Sequence, residues 1–205
     1  MESSTIEFVV VCDTSALIPI IATGRFPLLM TNSHGSLRKI VIGHQVQLEL
    51  QKFWNSHKEL ETSHLAWLHE SSLVEVLPEI NSASPFGKAF EYLVDFRFAH
   101  SLPNTPHDLG EHEAIAIAVE LSGNYESVSV LIDDAAGRRL AERQGMDVIG
   151  SVRMLLEAID TGLINNFADF TEVLGEFRRY GRYSDRLLAD VTRQASEAFQ
   201  RRMSS

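Results

Sequence analysis

Phe8-Val9-Val10-Val11-Cys12-Asp13-Thr14-Ser15-Ala16-Leu17 is the stretch on which the reading of the fold turns. Its first residues are apolar and mostly β-branched, with no polar alternation. Such a run marks a strand buried on both faces, as in the middle of a parallel sheet covered by helices. A carboxylate and two hydroxyls end the run, and a helical pattern over residues 15–22 follows. Asp13 then stands at the carboxyl end of a central strand, where open α/β sheets bind their ligands.

Working outward, the same pattern recurs. Short apolar strands are expected at 6–12, 39–42, 73–77, 127–132 and 147–149, the third at a sheet edge because Pro78 closes it. Helical periodicity covers 60–69, 84–99, 111–121, 135–144 and 152–160, and a further helix starts near His44. Residues 26–30 could hold a short helix, and 101–108, with two prolines, is a break. Strands alternating with helices imply parallel βαβ units, hence a three-layer α/β architecture with a sheet of four or five parallel strands flanked by helices. Two amphipathic helices, 166–180 and 185–201, complete the chain. The expected division is a domain over 1–161 and a C-terminal helical extension over 162–205 packed on it.

A chain of 205 residues suffices for one such core plus an appendage. The formal net charge of −10 argues against a protein that coats nucleic acid by bulk electrostatics. Acidic groups dominate up to residue 137, whereas 11 arginines gather over 138–205. The single cysteine, Cys12, excludes an internal disulfide and suits a reducing compartment. An acidic start without a signal-peptide pattern, and no long apolar run, lead to the expectation of a cytoplasmic protein with no membrane partner.

The carboxylates fall in a pattern. Asp13 ends the first strand, Asp133-Asp134 end the fourth, and Glu49 lies in the second turn of the helix after the second strand. Glu111 and Glu113 open the apolar helix that leads into the fourth strand. With parallel strands all can gather at one sheet edge. Clustered carboxylates repel unless a cation joins them, so the set suggests oxygen ligands for Mg²⁺ or Mn²⁺, which bind through few carboxylates plus water and phosphate. Such an ion activates water against a phosphodiester. Singly, each acid has a plainer account: Asp13 and Asp134 as helix caps, Glu49 as a solvated face, the glutamates as partners of a helix N-terminus. Positions 111 and 113 point roughly 200° apart on a helix. Glu111 shares its face with Ile115 and Ala118 and is favoured, while Glu113, on a more polar stripe, is the secondary candidate. Thr14 and Ser15 could bond a ligating carboxylate or a phosphate, or merely cap. Arg138, one turn past Asp134, could bind substrate phosphate or pair with a site acid. His100, His107 and His112 keep no zinc-ligand spacing and are read as surface or loop residues. Arg178-Arg179-Tyr180-Gly181-Arg182-Tyr183 mixes basic and aromatic residues as single-strand binders do, though a solvated loop between helices carries more weight.

These residues resemble the PIN-domain nucleases, the fold of the VapC toxins. Cys12-Asp13-Thr14-Ser15-Ala16-Leu17 is similar to that family's Asp-x-Ser-x-Leu opening, and Val46-x-x-Glu49-Leu50 to its Val-x-x-Glu-Leu. Gly110-Glu111-His112-Glu113-Ala114-Ile115 resembles the Gly-Glu-x-Glu-Ala-Ile motif of one branch. Leu131-Ile132-Asp133-Asp134 with Arg138 and Ala141, then Val148-x-Gly150, is similar to the same branch, as is the tail from Gly162-Leu163-Ile164 through Asp185. The resemblance implies a PIN-like fold and a Mg²⁺- or Mn²⁺-dependent ribonuclease with catalytic acids Asp13, Glu49, Glu111 and Asp134. It implies metal ligation by Asp13, Glu111, Asp134 and Asp133, and substrate contacts from Ser15, Thr14 and Arg138. Single-stranded RNA, a protein antitoxin and a second copy of the chain are the implied partners. The chain departs from the family pattern in carrying Glu111 where Asp is usual and Ile132 in place of a threonine. The competing class is a PIN-like module that binds RNA or protein without cutting. A phosphatase or phosphoreceiver would need a second Asp two residues on, or a late lysine, and the chain has neither.

Overall fold

β1 (Phe8–Cys12) is the central strand of the sheet, and both of its faces are covered: Val9, Val10, Val11 and Cys12 are each 2 % exposed or less. The computed structural model describes residues 8–31, 35–80, 85–99 and 109–203. Ile6, expected to begin the strand, and the break at 101–108 lie outside the described residues. β2 (Arg38–Ile42), β3 (Val74–Val76), β4 (Ser127–Leu131) and β5 (Asp147–Ile149) complete an all-parallel five-stranded sheet in the order β3-β2-β1-β4-β5. The chain winds outward from β1 to β3, then returns to lay β4 on the other side of β1. That reversal creates a crevice between the carboxyl ends of β1 and β4, the usual ligand position in open α/β sheets.

Side-chain alternation divides the apolar residues between two cores. Val10, Cys12, Ile40, Ile42 and Leu131 face the layer built by α1 (Thr14–Ala22), α2 (Pro27–Met30), α3 (His44–Ser56), α4 (Thr62–Glu70) and α8 (Ser151–Asp160). Val9, Val11, Val41, Val128 and Val130 face α5 (Gly87–Ala99), α6 (Leu109–Leu121) and α7 (Ala135–Arg143). α6 is apolar around most of its surface because it packs on β1, β4, α3 and α5 together. The architecture is thus the three-layer α/β fold expected from the sequence.

α9 (Phe167–Tyr180) and α10 (Asp185–Met203) pack on α1 and α8. Phe170 and Phe177 are fully buried and, with Val191 and Ala195, join the first core cluster. Burying each ring contributes about 1.5–3 kcal/mol. Arg202 Nη1 donates to Ile159 O at 2.7 Å, fixing the far end of α10 to α8. Among the described residues no helix is long and apolar enough to cross a membrane.

Candidate active site

The strand edge between β1 and β4 is closed by the backbone first. Asp13 N donates to Leu131 O, the last residue of β4, at 2.9 Å, carrying the β1–β4 ladder one residue past β1. Asp13 is extended and caps α1: Ser15 N and Ser15 Oγ donate to its Oδ2 at 2.9 and 2.5 Å. Only 3 % of the residue is exposed. Burial pushes the Asp13 carboxyl up to about 6, Ser15's bonds pull against this, and the nearby charge of Glu49 raises it further. Glu49, on α3, is held by Thr14, whose Oγ1 donates to Glu49 Oε2 at 2.5 Å. Thr14 and Ser15 therefore each orient one carboxylate of a mutually repelling pair.

The acids continue along the crevice. A β-carbon on Gly110 would stand 3.2 Å from Glu49 Oε2, and one on Gly137 would stand 2.7 Å from Glu111 Oε2. The two glycines let α3, α6 and α7 approach around these carboxylates. Asp134 caps α7, its Oδ1 accepting from Ala136 N at 2.6 Å and Gly137 N at 3.1 Å. Glu49 thus lies against the start of α6, and Glu111 against the first turn of α7, which Asp134 caps.

Among the described residues, no three histidines, cysteines or acids stand close enough to hold one metal ion. The donor set nevertheless fits a hard cation held by few protein oxygens, because Asp13 and Glu49 form a pair in which one charge disfavours the other. A divalent ion between water, phosphate and this pair would relieve that repulsion.

Three of the remaining candidates serve the fold. Glu113 is 1 % exposed, so the polar-stripe reading of its face is corrected. Its Oε2 accepts from Gln45 N at 2.8 Å, and the N–H groups of His44 and Val46 also face it. The N-cap of α3 is Gly43, which has no side chain to cap with, and a β-carbon there would fall 2.1 Å from Glu113 Oε2. A carboxylate from α6 therefore caps α3. Burial still raises the Glu113 carboxyl above its ordinary value. Asp133 accepts from Ser151 N at 2.8 Å and Ser151 Oγ at 2.5 Å, at the start of α8. Burial raises its carboxyl, with Ser151's bonds and the Arg138 guanidinium opposing. Arg138 Nη1 donates to Ile132 O at 3.2 Å, and its guanidinium charge lowers the Asp133 carboxyl without an ion pair to it, so the expected pairing with a site acid is not formed.

His112 is 4 % exposed and belongs to the buried face of α6, not to a surface or loop. Tyr183, read from sequence within a solvated basic loop, instead turns its hydroxyl inward to Ser151 Oγ at 2.7 Å. Sequence reasoning did not find Ser151, Tyr183 or the accommodating glycines. The one available signal was the placement of Gly43, Gly110 and Gly150 at helix starts beside acidic motifs.

The family model described as DUF3368, PIN domain, matches residues 95–197. The matched segment contains Glu111, Asp133, Asp134, Ser151 and Tyr183, while Asp13 and Glu49 precede it. No curated protein matches the chain.

Proposed function

The chain belongs to the PIN-domain family, whose members are usually nucleases working with divalent metals, and from that premise we propose that it is a Mg²⁺- or Mn²⁺-dependent endoribonuclease acting on single-stranded RNA. The observation that carries the reading is the mutually repelling pair at the sheet's reversal point, a buried Asp13 beside a half-buried Glu49. Asp13 and Glu49 would hold the ion, with Glu111 and Asp134 lining the side toward β4. When bound, the ion supplies Lewis acidity toward a phosphodiester oxygen and lowers the pKa of water.

The protein's own groups account for the rest. Ser15 fixes the Asp13 carboxylate through two bonds to its Oδ2. Thr14 orients Glu49 through one bond to its Oε2. The apolar residues below, Val11, Cys12 and Leu131, exclude water from the floor of the crevice. Because the Asp13 carboxyl lies near 6, it is ionised at neutral pH and protonated in mild acid, so activity falls as pH drops through 6. The resemblance to VapC toxins extends the proposal to a homodimeric toxin silenced by a protein antitoxin. A small DNA-binding reading frame beside the gene is the expected sign of that arrangement.

The experiment is cleavage of single-stranded RNA by purified protein with Mn²⁺, beside Asp13→Asn. The wild type cuts and the variant does not; equal cleavage by both overturns the assignment. The absence of a three-acid cluster among the described residues favours a second reading, a PIN-like module that binds RNA without cutting. RNA retention on the wild type, with no cleavage at any metal concentration, would select it.

A further inference from the structure

The turn between α9 and α10 reaches the β4 end of the crevice through a single side chain. Tyr183 is the third residue of that turn, and its hydroxyl meets Ser151 Oγ at 2.7 Å and also bonds the Asp133 carboxylate. Ser151 is fully buried at the first position of α8, and its Oγ and N both bond the Asp133 carboxylate. Asp133 is followed directly by Asp134, the cap of α7, whose first turn abuts Glu111 at Gly137. Two glycines keep room for the arrangement. A β-carbon on Gly150 would stand 3.0 Å from both Asp133 Oδ1 and Arg138 Nη1, and one on Gly181 would stand 2.3 Å from the Tyr183 ring. Arg138 braces the same loop from within, through Ile132 O.

We infer that Tyr183 is a positioning residue of the active site: through Ser151 and Asp133 it holds the loop carrying Asp134, so that the C-terminal helical pair sets the geometry of the acidic crevice. The inference rests on the nuclease reading for its effect on turnover, while the linkage itself is independent of that reading. It gives the α9–α10 pair a task beyond burying apolar surface. Loop 132–137 is also tied by the cap of α7, by Arg138 Nη1 on Ile132 O, and by Ile132 N, which donates to Ile149 O at 2.9 Å. A hydroxyl delivered from another element restricts how Asp133 can turn, and Asp134 turns with it. Small displacements of a catalytic carboxylate lower rate without weakening substrate binding.

The test compares Tyr183→Phe with Tyr180→Phe, which changes the same chemistry one turn away, where the ring packs edge-on against Phe53. Amide exchange by NMR is the activity-independent readout. In Tyr183→Phe, exchange at Ser151, Ala136 and Gly137 accelerates about fivefold or more, the effect of losing one hydrogen bond, while Tyr180→Phe leaves these amides unchanged. In RNA cleavage, Tyr183→Phe lowers kcat about tenfold with KM unchanged. Ser151→Ala moves both readouts in the same direction, and the double variant Tyr183→Phe/Ser151→Ala loses less than the two single losses together, as expected of one hydrogen-bonded network. Unchanged exchange at the three amides in folded Tyr183→Phe overturns the inference, as does a kcat equal to that of the wild type. If the wild type itself fails to cut RNA, the nuclease reading falls and the exchange result alone decides the linkage.

Discussion

Asp13 and Asp133 follow neighbouring parallel strands, and burial raises the carboxyl pKa of both, yet their surroundings differ in kind. Asp133 is met by an amide, a serine hydroxyl, a tyrosine and a guanidinium. Asp13 is met by Ser15 and the Thr14 amide, with no cation among the described residues beside it, and feels a second carboxylate, Glu49, which accepts from Thr14 Oγ1. A buried acid whose bonds are satisfied stabilises the loop that holds it. A buried acid set against another acid costs stability, and proteins keep such strain where a ligand relieves it.

The contrast predicts opposite outcomes from the same change. Asp13→Asn should reduce RNA cleavage by about 10³-fold, removing a group on which the metal chemistry depends. At pH 7.5 and without metal the same variant should be more stable than the wild type. The sign follows from linkage. The folded Asp13 carboxyl titrates at about 6 against an ordinary 3.8, so the native state holds its proton more tightly. Its contribution is fully present below pH 4 and lost as pH rises through 6, a cost of about 3 kcal/mol at neutral pH. Asp133→Asn should instead destabilise, by about 1 kcal/mol, because weakening the bonds from Ser151 and Tyr183 outweighs the relief of its own raised carboxyl. Urea unfolding of both variants checks the pair, and a shift of the same sign in each would break the contrast.

A third buried acid calibrates the scale. Glu113 is held by the first amides of α3, so Glu113→Ala should cost about 2–4 kcal/mol, or several degrees in Tm. Gly43→Ala should approach this loss, since its methyl would overlap the same carboxylate. Metal sharpens the comparison further. Mn²⁺ should raise Tm at pH 7.5 and have little effect at pH 5, where Asp13 is protonated, and Asp13→Asn should erase the difference. The smallest expected effect is that of Arg138→Ala on RNA affinity, a change below about twofold, because the guanidinium is already bonded to Ile132 O. A large loss in a filter-binding assay would return Arg138 to the substrate side.

Much of the scaffold was legible from residue order. The doubly buried β1, the edge position of β3, the short helix at 27–30 and both C-terminal helices follow from periodicity and from Pro and Gly punctuation, which act within a few residues. The candidate acids were legible too, as strand-end and helix-start positions. Glu113 was misjudged because a helical wheel weighs only its own neighbours, whereas its partners, the amides of α3, come from another helix. Tyr183 was misjudged for the same reason, since a tyrosine among arginines carries no mark of an inward hydroxyl.

The sequence by itself determined the alternation of strands and helices, the burial of β1, and which residues arrive at the sheet's carboxyl edge, because these depend on local periodicity and on the two-residue and 3.6-residue repeats of the backbone. Only the tertiary structure decided which of those acids is satisfied and which is left facing another charge. The bonds that settle it join residues 35, 68, 18 and 32 positions apart, for Thr14–Glu49, Gln45–Glu113, Asp133–Ser151 and Ser151–Tyr183. The energy of a carboxylate is fixed by the donors and charges within a few ångströms of it, and the chain brings those together only when it has folded.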